Sequence, residues 1–166
     1  RIILTADVDG PPSVELEMLN TIYNAADVGV NTCKGEGWGL VSFEQAACKV
    51  AQVVPGHTSC KEIFEGYGQL IRCDHIDTDT NFGREMPCPS TDHLAEILTD
   101  LYNNPDKLKA TAELCYTRAL EKQFTWEVIG AQFAGIFEDA IQGVDHSVKK
   151  VSPKKKTRKK RKIGNA

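Results

Sequence analysis

Apolar positions along the chain come in short runs separated by turn residues, and two kinds of run alternate. Ile2-Ile3-Leu4, Ala26-Asp27-Val28-Gly29-Val30-Asn31, Ala51 to Val54 and Gln69 to Cys73 read as strands. Between them, apolar residues fall at helical spacing. Leu16, Leu19, Ile22 and Tyr23 follow the turn Thr5 to Pro12 and a cap at Ser13, and further helices are expected from Leu40 and over Thr58 to Phe64. Strands alternating with short helices predict an α/β fold with a Rossmann-like, doubly wound parallel sheet. Ligands of such sheets sit at the carboxyl ends of the strands, where Asn31 to Gly39 and Pro55 to Ser59 fall. His57, in the second of these loops, is read either as a ligand contact or as a surface histidine.

Residues 74–90 hold three aspartates and two prolines without clear periodicity, which predicts a long loop. A helix then runs from Ser90 to Tyr102, capped by Ser90 or Thr91. Asn103-Asn104-Pro105 ends it, and a second helix runs to about Lys122. Thr125 caps a last helix, Trp126 to Ile141, with Val128, Ile129, Phe133, Ile136, Phe137 and Ala140 on or near one apolar face. Phe124 and Trp126 are expected as core anchors.

The chemistry concentrates in Lys34-Gly35-Glu36-Gly37-Trp38-Gly39-Leu40-Val41-Ser42-Phe43-Glu44-Gln45-Ala46-Ala47. Strand, glycine-rich loop and helix start together make an anion site. Glycine lets a ligand approach the backbone, and the first amides of a helix point at it unpaired, from the positive end of the dipole. A phosphate is the natural occupant. In one continuous helix Glu36 and Glu44 would stand ~12 Å apart. Glycines at 35, 37 and 39 oppose a helix before Leu40. Glu36 is therefore read as a loop residue in front of the helix, and Glu44 as a residue about one turn inside it. Two acceptors that bracket a phosphate site suit a sugar, a diphosphate and a ribose in a row. Taken singly, each glutamate is equally a solvated surface residue.

The segment Glu36 to Val54, EGWGLVSFEQAACKVAQVV, resembles the E-x7-E segment of retaining GT-B glycosyltransferases, above all the large family-four group. Tyr23-Asn24-Ala25-Ala26-Asp27-Val28 resembles the strand entry of that family, and Glu62-Ile63-Phe64 with Gly66 resembles the motif that follows. The wording Asn31-Thr32-Cys33 and Gln52-Val53-Val54 is most similar to glycosyltransferases of large DNA viruses. Trp38 stands where the family commonly has Phe. Lys49-Val50-Ala51-Gln52 replaces the family's glycine and proline between helix and strand.

The resemblance covers roughly residues 1–142 and implies one half of a GT-B fold. Residues 1–146 would be the nucleotide-sugar (donor) binding domain, with the N-terminal acceptor domain missing. It implies Glu36 as the catalytic-site residue on the transferred sugar's hydroxyls. Backbone amides of Gly37, Trp38 and Gly39 would line the sugar, those of Leu40 and Val41 would face the phosphates, and Glu44 would accept from the ribose. Asp7, Val8 and Asp9 are candidate base contacts. The implied reaction is metal-independent hexosyl transfer from a nucleoside-diphosphate sugar with retention, with no further cofactor and no protein nucleophile. The chain opens on Arg1, and we expect a fragment that is inactive alone.

Charge changes the picture at one end only. The chain is net −3, but residues 149–166 hold ten Lys/Arg and no acid, which leaves about −13 on the rest. Residues 147–166 are expected to be a disordered basic tail. Its role stays open between nuclear import, contact with nucleic acid or an acidic surface through residues 149–162, and solubility. Two readings from other classes follow: a nucleic-acid-associated protein acting through this tail, and a non-catalytic nucleotide-binding module. No run of ~18 apolar residues predicts a membrane span, and no basic-apolar leader opens the chain.

Six cysteines without a C-x-x-C are read as free thiols in a reducing cytoplasm, with Cys33, Cys48 and Cys73 in apolar contexts. The histidines do not cluster near them in sequence. Asp7-Val8-Asp9 and Asp77-Thr78-Asp79 both spell D-x-D, which an acid-rich chain produces by chance, so no metal is assigned.

Overall fold

The computed structural model describes residues 14–79 and 83–144. The expected strand Ile2-Ile3-Leu4, the Ser13 cap, the candidate base contacts Asp7, Val8 and Asp9, and the basic tail lie outside the described residues. The elements in chain order are α1 (Leu16–Asn24), β1 (Val28–Val30), α2 (Leu40–Ala47), β2 (Ala51–Pro55), α3 (Thr58–Phe64) and β3 (Gln69–Ile71). They continue with β4 (Cys73–Asp79), β5 (Arg84–Pro89), α4 (Thr91–Asn103), α5 (Pro105–Ala119), a 3-10 turn (Lys122–Phe124) and α6 (Trp126–Ile141). Contacts divide the chain into one unit up to Thr125 and another from Trp126.

The first unit is mixed α/β. β1, β2 and β3 form a parallel sheet in that order, with Val30 opposite Val53 and Val54 opposite Leu70. Helices make the crossovers that parallel neighbours need. All five residues of β2 are buried, as expected of a strand covered on both faces. Val54 packs with Ala46 of α2, Phe64 of α3 and Cys115 of α5. Val53, one residue earlier, packs with Ile71 of β3 and Leu101 of α4. Helices therefore cover both faces of the sheet. No helix among the described residues is long and apolar enough to cross a membrane.

The turn after α2 is made without a glycine. Lys49 takes φ 61°, the left-handed conformation usually given to glycine. Its amide donates to Ala46 O at 3.0 Å, and the Val50 amide donates to Gln45 O at 3.1 Å. These two bonds close a Schellman motif. The Lys49 side chain is held in turn: Nζ lies 3.0 Å from Glu113 and 4.8 Å from the centre of the Tyr116 ring. Helix, turn and strand thus keep their geometry with Lys in the strained position.

Residues 74–90 correct the sequence reading. They are not a long loop: β4 and β5 pair antiparallel from Cys73 opposite Pro89 to Asp79 opposite Arg84. Neither strand alternates apolar with polar residues, so the period-two signal is absent. Pro87 and Pro89 also read as loop residues, but a two-stranded ribbon tolerates them because it has only edges. The strand expected over Gln69 to Cys73 breaks at Arg72, whose amide donates to His93 Nδ1 at 3.0 Å. Ser90 caps α4 by accepting from the His93 amide.

Other side chains also sit differently from expectation. Cys33, Cys48 and Cys73 are only half-buried, whereas Cys60, Cys88 and Cys115 are buried, and all six thiols are free. Trp126 is no core anchor, being 86% exposed at the first residue of α6. His57 is buried rather than a surface loop residue.

Phe64 is fully buried between sheet and helices. Phe64→Ala should lower the unfolding free energy of the chain by about 3–5 kcal/mol. Denaturant titration followed by far-ultraviolet circular dichroism measures it, and a loss below about 1 kcal/mol would show that this side chain does not anchor the core.

Candidate functional site

The glycine-rich segment folds as a loop from Lys34 to Gly39 and a helix from Leu40, at the carboxyl end of β1. Gly39 makes the turn into α2 at φ 88°, a conformation that costs an L side chain about 1–2 kcal/mol. A Cβ there would also lie 3.4 Å from Glu36 Cγ, so the Glu36 side chain folds back over the turn. A Cβ at Gly35 or Gly37 would meet nothing within 4 Å. Those two glycines are thus not demanded by the protein's own packing. No side chain caps the start of α2, and the first helical bond runs from the Phe43 amide to Gly39 O at 3.0 Å. The preceding amides of Leu40 and Val41 are among the orphan donors that any helix start exposes.

Two cavities meet at this helix start. One of about 320 Å³ is lined by Asn31 and the unbroken run Glu36, Gly37, Trp38, Gly39, Leu40 and Val41. The other, of about 360 Å³, lies over β1 and shares Asn31 and Val41. Asn31 shapes the end of β1, since its Oδ1 accepts from the Cys33 amide at 2.8 Å. All six residues from Glu36 to Val41 therefore line one cleft.

Glu44 is placed elsewhere. Its Oε2 accepts from Tyr23 Oη at 2.9 Å, and it lines a cavity of about 390 Å³ with Leu16, Leu19, Asn20, Tyr23, Ala47 and Cys48. Burial, and then the Glu44 carboxylate, push the Tyr23 hydroxyl up to about 12, so it stays a donor at neutral pH. Glu36 and Glu44 thus line separate cavities, one at the start of α2 and one along its second half.

The loop rests on residues that the motif did not reveal. Ser59 Oγ donates to Glu36 O at 2.9 Å, which ties the loop to α3. Trp38, Phe43 and Phe124 form a three-ring cluster, with centroids 5.4, 5.5 and 5.1 Å apart and edge-to-face angles. The Arg118 guanidinium lies 4.8 Å from the Phe124 centroid. Phe124, expected as a core anchor, is only half-buried and belongs to neither core cluster; it props the aromatic residue of the glycine loop instead. Lys34 at the loop's start is hydrogen-bonded to Asp77 of the hairpin. At the start of α3, Thr58 holds φ 49°, rare for a β-branched residue, beside His57, whose buried Nε2 has no partner.

Beneath the loop, Cys60 is buried and lies near Cys33 and Glu36. Burial first, then these neighbours, push the Cys60 thiol up to about 12. Burial and the charge of Glu36 raise Cys33 as well. Neither thiol is ionised at neutral pH, so neither is an activated nucleophile. The cleft offers backbone donors, one carboxylate and an aromatic wall, which suits binding of an anion with hydroxyls beside it. No protein-family model and no curated protein matches the chain.

Phe124→Ala should free Trp38. With Trp126→Phe as background, Trp38 emission should shift to longer wavelength and become more open to quenching by iodide. Unchanged emission would show that the ring cluster does not hold the loop. The edge contacts are worth about 0.5–1.5 kcal/mol each.

Proposed function

We propose that this chain is the donor-binding half of a retaining, GT-B-type glycosyltransferase and takes a nucleoside-diphosphate sugar at the start of α2. One observation carries the reading: Glu36, Gly37, Trp38, Gly39, Leu40 and Val41 line a single cleft at the carboxyl end of a strand in a parallel sheet. The diphosphate takes the uncapped amides of Leu40 and Val41, where the helix dipole favours negative charge. The sugar lies toward Glu36, whose carboxylate accepts from its hydroxyls. The room in front of Gly35 and Gly37 admits the sugar against the backbone.

The ribose lies on the α1 side, where Tyr23 holds one oxygen of Glu44 and leaves the other to accept from a hydroxyl. The apolar wall of Leu16 and Leu19 borders that side. The reaction breaks the anomeric carbon–oxygen bond to the diphosphate and forms a bond from the same face to an acceptor oxygen. The departing diphosphate takes the acceptor's proton. Fixed donors at the diphosphate stabilise the charge that develops there, which is the largest contribution such a site can make. Contacts from Glu36 to the sugar strengthen as the ring gains positive character, and only that strengthening speeds the step. The acceptor-binding domain is supplied by a second α/β half.

Calorimetry tests the two-sided arrangement with uridine, guanosine and adenosine diphosphates and their glucose conjugates. At least one diphosphate should bind, with or without a chelator. Glu36→Ala should leave the bare diphosphate unchanged and weaken the nucleotide-sugar. Glu44→Gln should weaken both, by about 1.5–3 kcal/mol for a charge-assisted contact. Binding that vanishes with the chelator, or equal loss of the bare diphosphate in both variants, contradicts the arrangement.

A further inference from the structure

The β4–β5 hairpin brings three different metal-ligating groups to one face. His75 and Asp77 are two residues apart on β4 and so point the same way. Cys88 stands directly opposite His75 in the register, and Asp77 is its diagonal neighbour. One ligand atom from each, all three taken together, lies within 4.8 Å of the others. His75 Nε2 is 3.8 Å from Asp77 Oδ1. Donors at about 2.0–2.3 Å around a tetrahedral ion stand roughly 3.3–3.8 Å apart. Small side-chain rotations therefore close the three onto one ion.

We propose that His75, Asp77 and Cys88 form a site for a divalent ion of the zinc class. The donor set decides the class. Magnesium and calcium take oxygen ligands, whereas thiolate with imidazole and one carboxylate suits zinc or cobalt. Three protein ligands leave a fourth position for water. Cys88 Sγ donates weakly to Met86 O at 3.6 Å. Ion binding breaks that bond and the S–H bond, forms the metal–thiolate bond and releases one proton to solvent.

Lys34 marks the same place as attractive to a cation. Its ammonium is hydrogen-bonded to Asp77 and holds that carboxyl below the usual carboxylate range. Ion and ammonium compete for one carboxylate. Because Lys34 precedes Gly35, ion binding releases a tether between hairpin and glycine loop. The site does not depend on what the loop binds.

The test is a titration of the reduced full chain with Co²⁺, read by the thiolate-to-cobalt charge-transfer band and the visible bands of a four-coordinate ion. Saturable bands with one equivalent are expected. Cys88→Ser should remove the charge-transfer band. His75→Ala, at an exposed position, should keep the fold and weaken binding by more than about tenfold, since even supporting partners of metal ligands cost that much. Lys34→Met should tighten Co²⁺ by about two- to fivefold, the worth of an exposed ion pair. Absence of a charge-transfer band in the wild-type chain, its persistence in Cys88→Ser, or unchanged affinity in His75→Ala would overturn the site.

Discussion

The structure depends on the complete burial of β2. Ala51 to Pro55 are out of water on both faces, and every neighbour is fixed by that fact. Val54 turns to one helical layer and Val53 to the other. A strand in that position needs partners on both edges, and β1 and β3 supply them in parallel. A parallel pair cannot be joined by a tight turn, so α2 and α3 follow as crossovers. The one polar intruder, Gln52, is also fully buried. Its Nε2 donates to Val50 O at 3.1 Å, while its Oε1 has no partner.

The cleft follows from the same constraint. Because β1 pairs with β2 in parallel, its carboxyl end faces the start of α2, and the six residues between strand and helix that follow Cys33 must turn there. Gly39 makes the turn possible and Ser59 ties it down. Phe124 then fixes Trp38 from a segment more than eighty residues away in the chain. The helix amides are exposed to ligand because no side chain caps them. Where the strand would have been followed by a capped helix, Ser, Thr or Asp at the turn would occupy those donors; this chain has glycine instead.

Most of the alternation of strand and helix was legible in the sequence, and α3 and α6 fall on the residues that their spacing indicated. The glycine loop was legible because three glycines and a helix-forming run leave few conformations open. The hairpin was hidden because its strands mix polar and apolar residues without alternation, and its pairing is written only in cross-strand partners such as His75 and Cys88. The same pairing unites a histidine and a cysteine that are thirteen residues apart in sequence. The left-handed Lys49 was equally hidden, since its strain is offset by contacts to Glu113 and Tyr116 from α5. The separation of Glu36 from Glu44 could be anticipated from the helix start; the hold of Tyr23 on Glu44 could not, because it rests on how α1 packs against α2.

The central claim is that the start of α2 is an anion site formed by backbone. The most direct measurement is the amide spectrum of the nitrogen-labelled chain during titration with a nucleoside diphosphate. Resonances of Gly37, Trp38, Gly39, Leu40 and Val41 should move in a saturable way, while those of α4 on the opposite face of the sheet stay in place. Saturable shifts that avoid these five amides, or no shifts with any nucleoside diphosphate at millimolar concentration, would contradict the account.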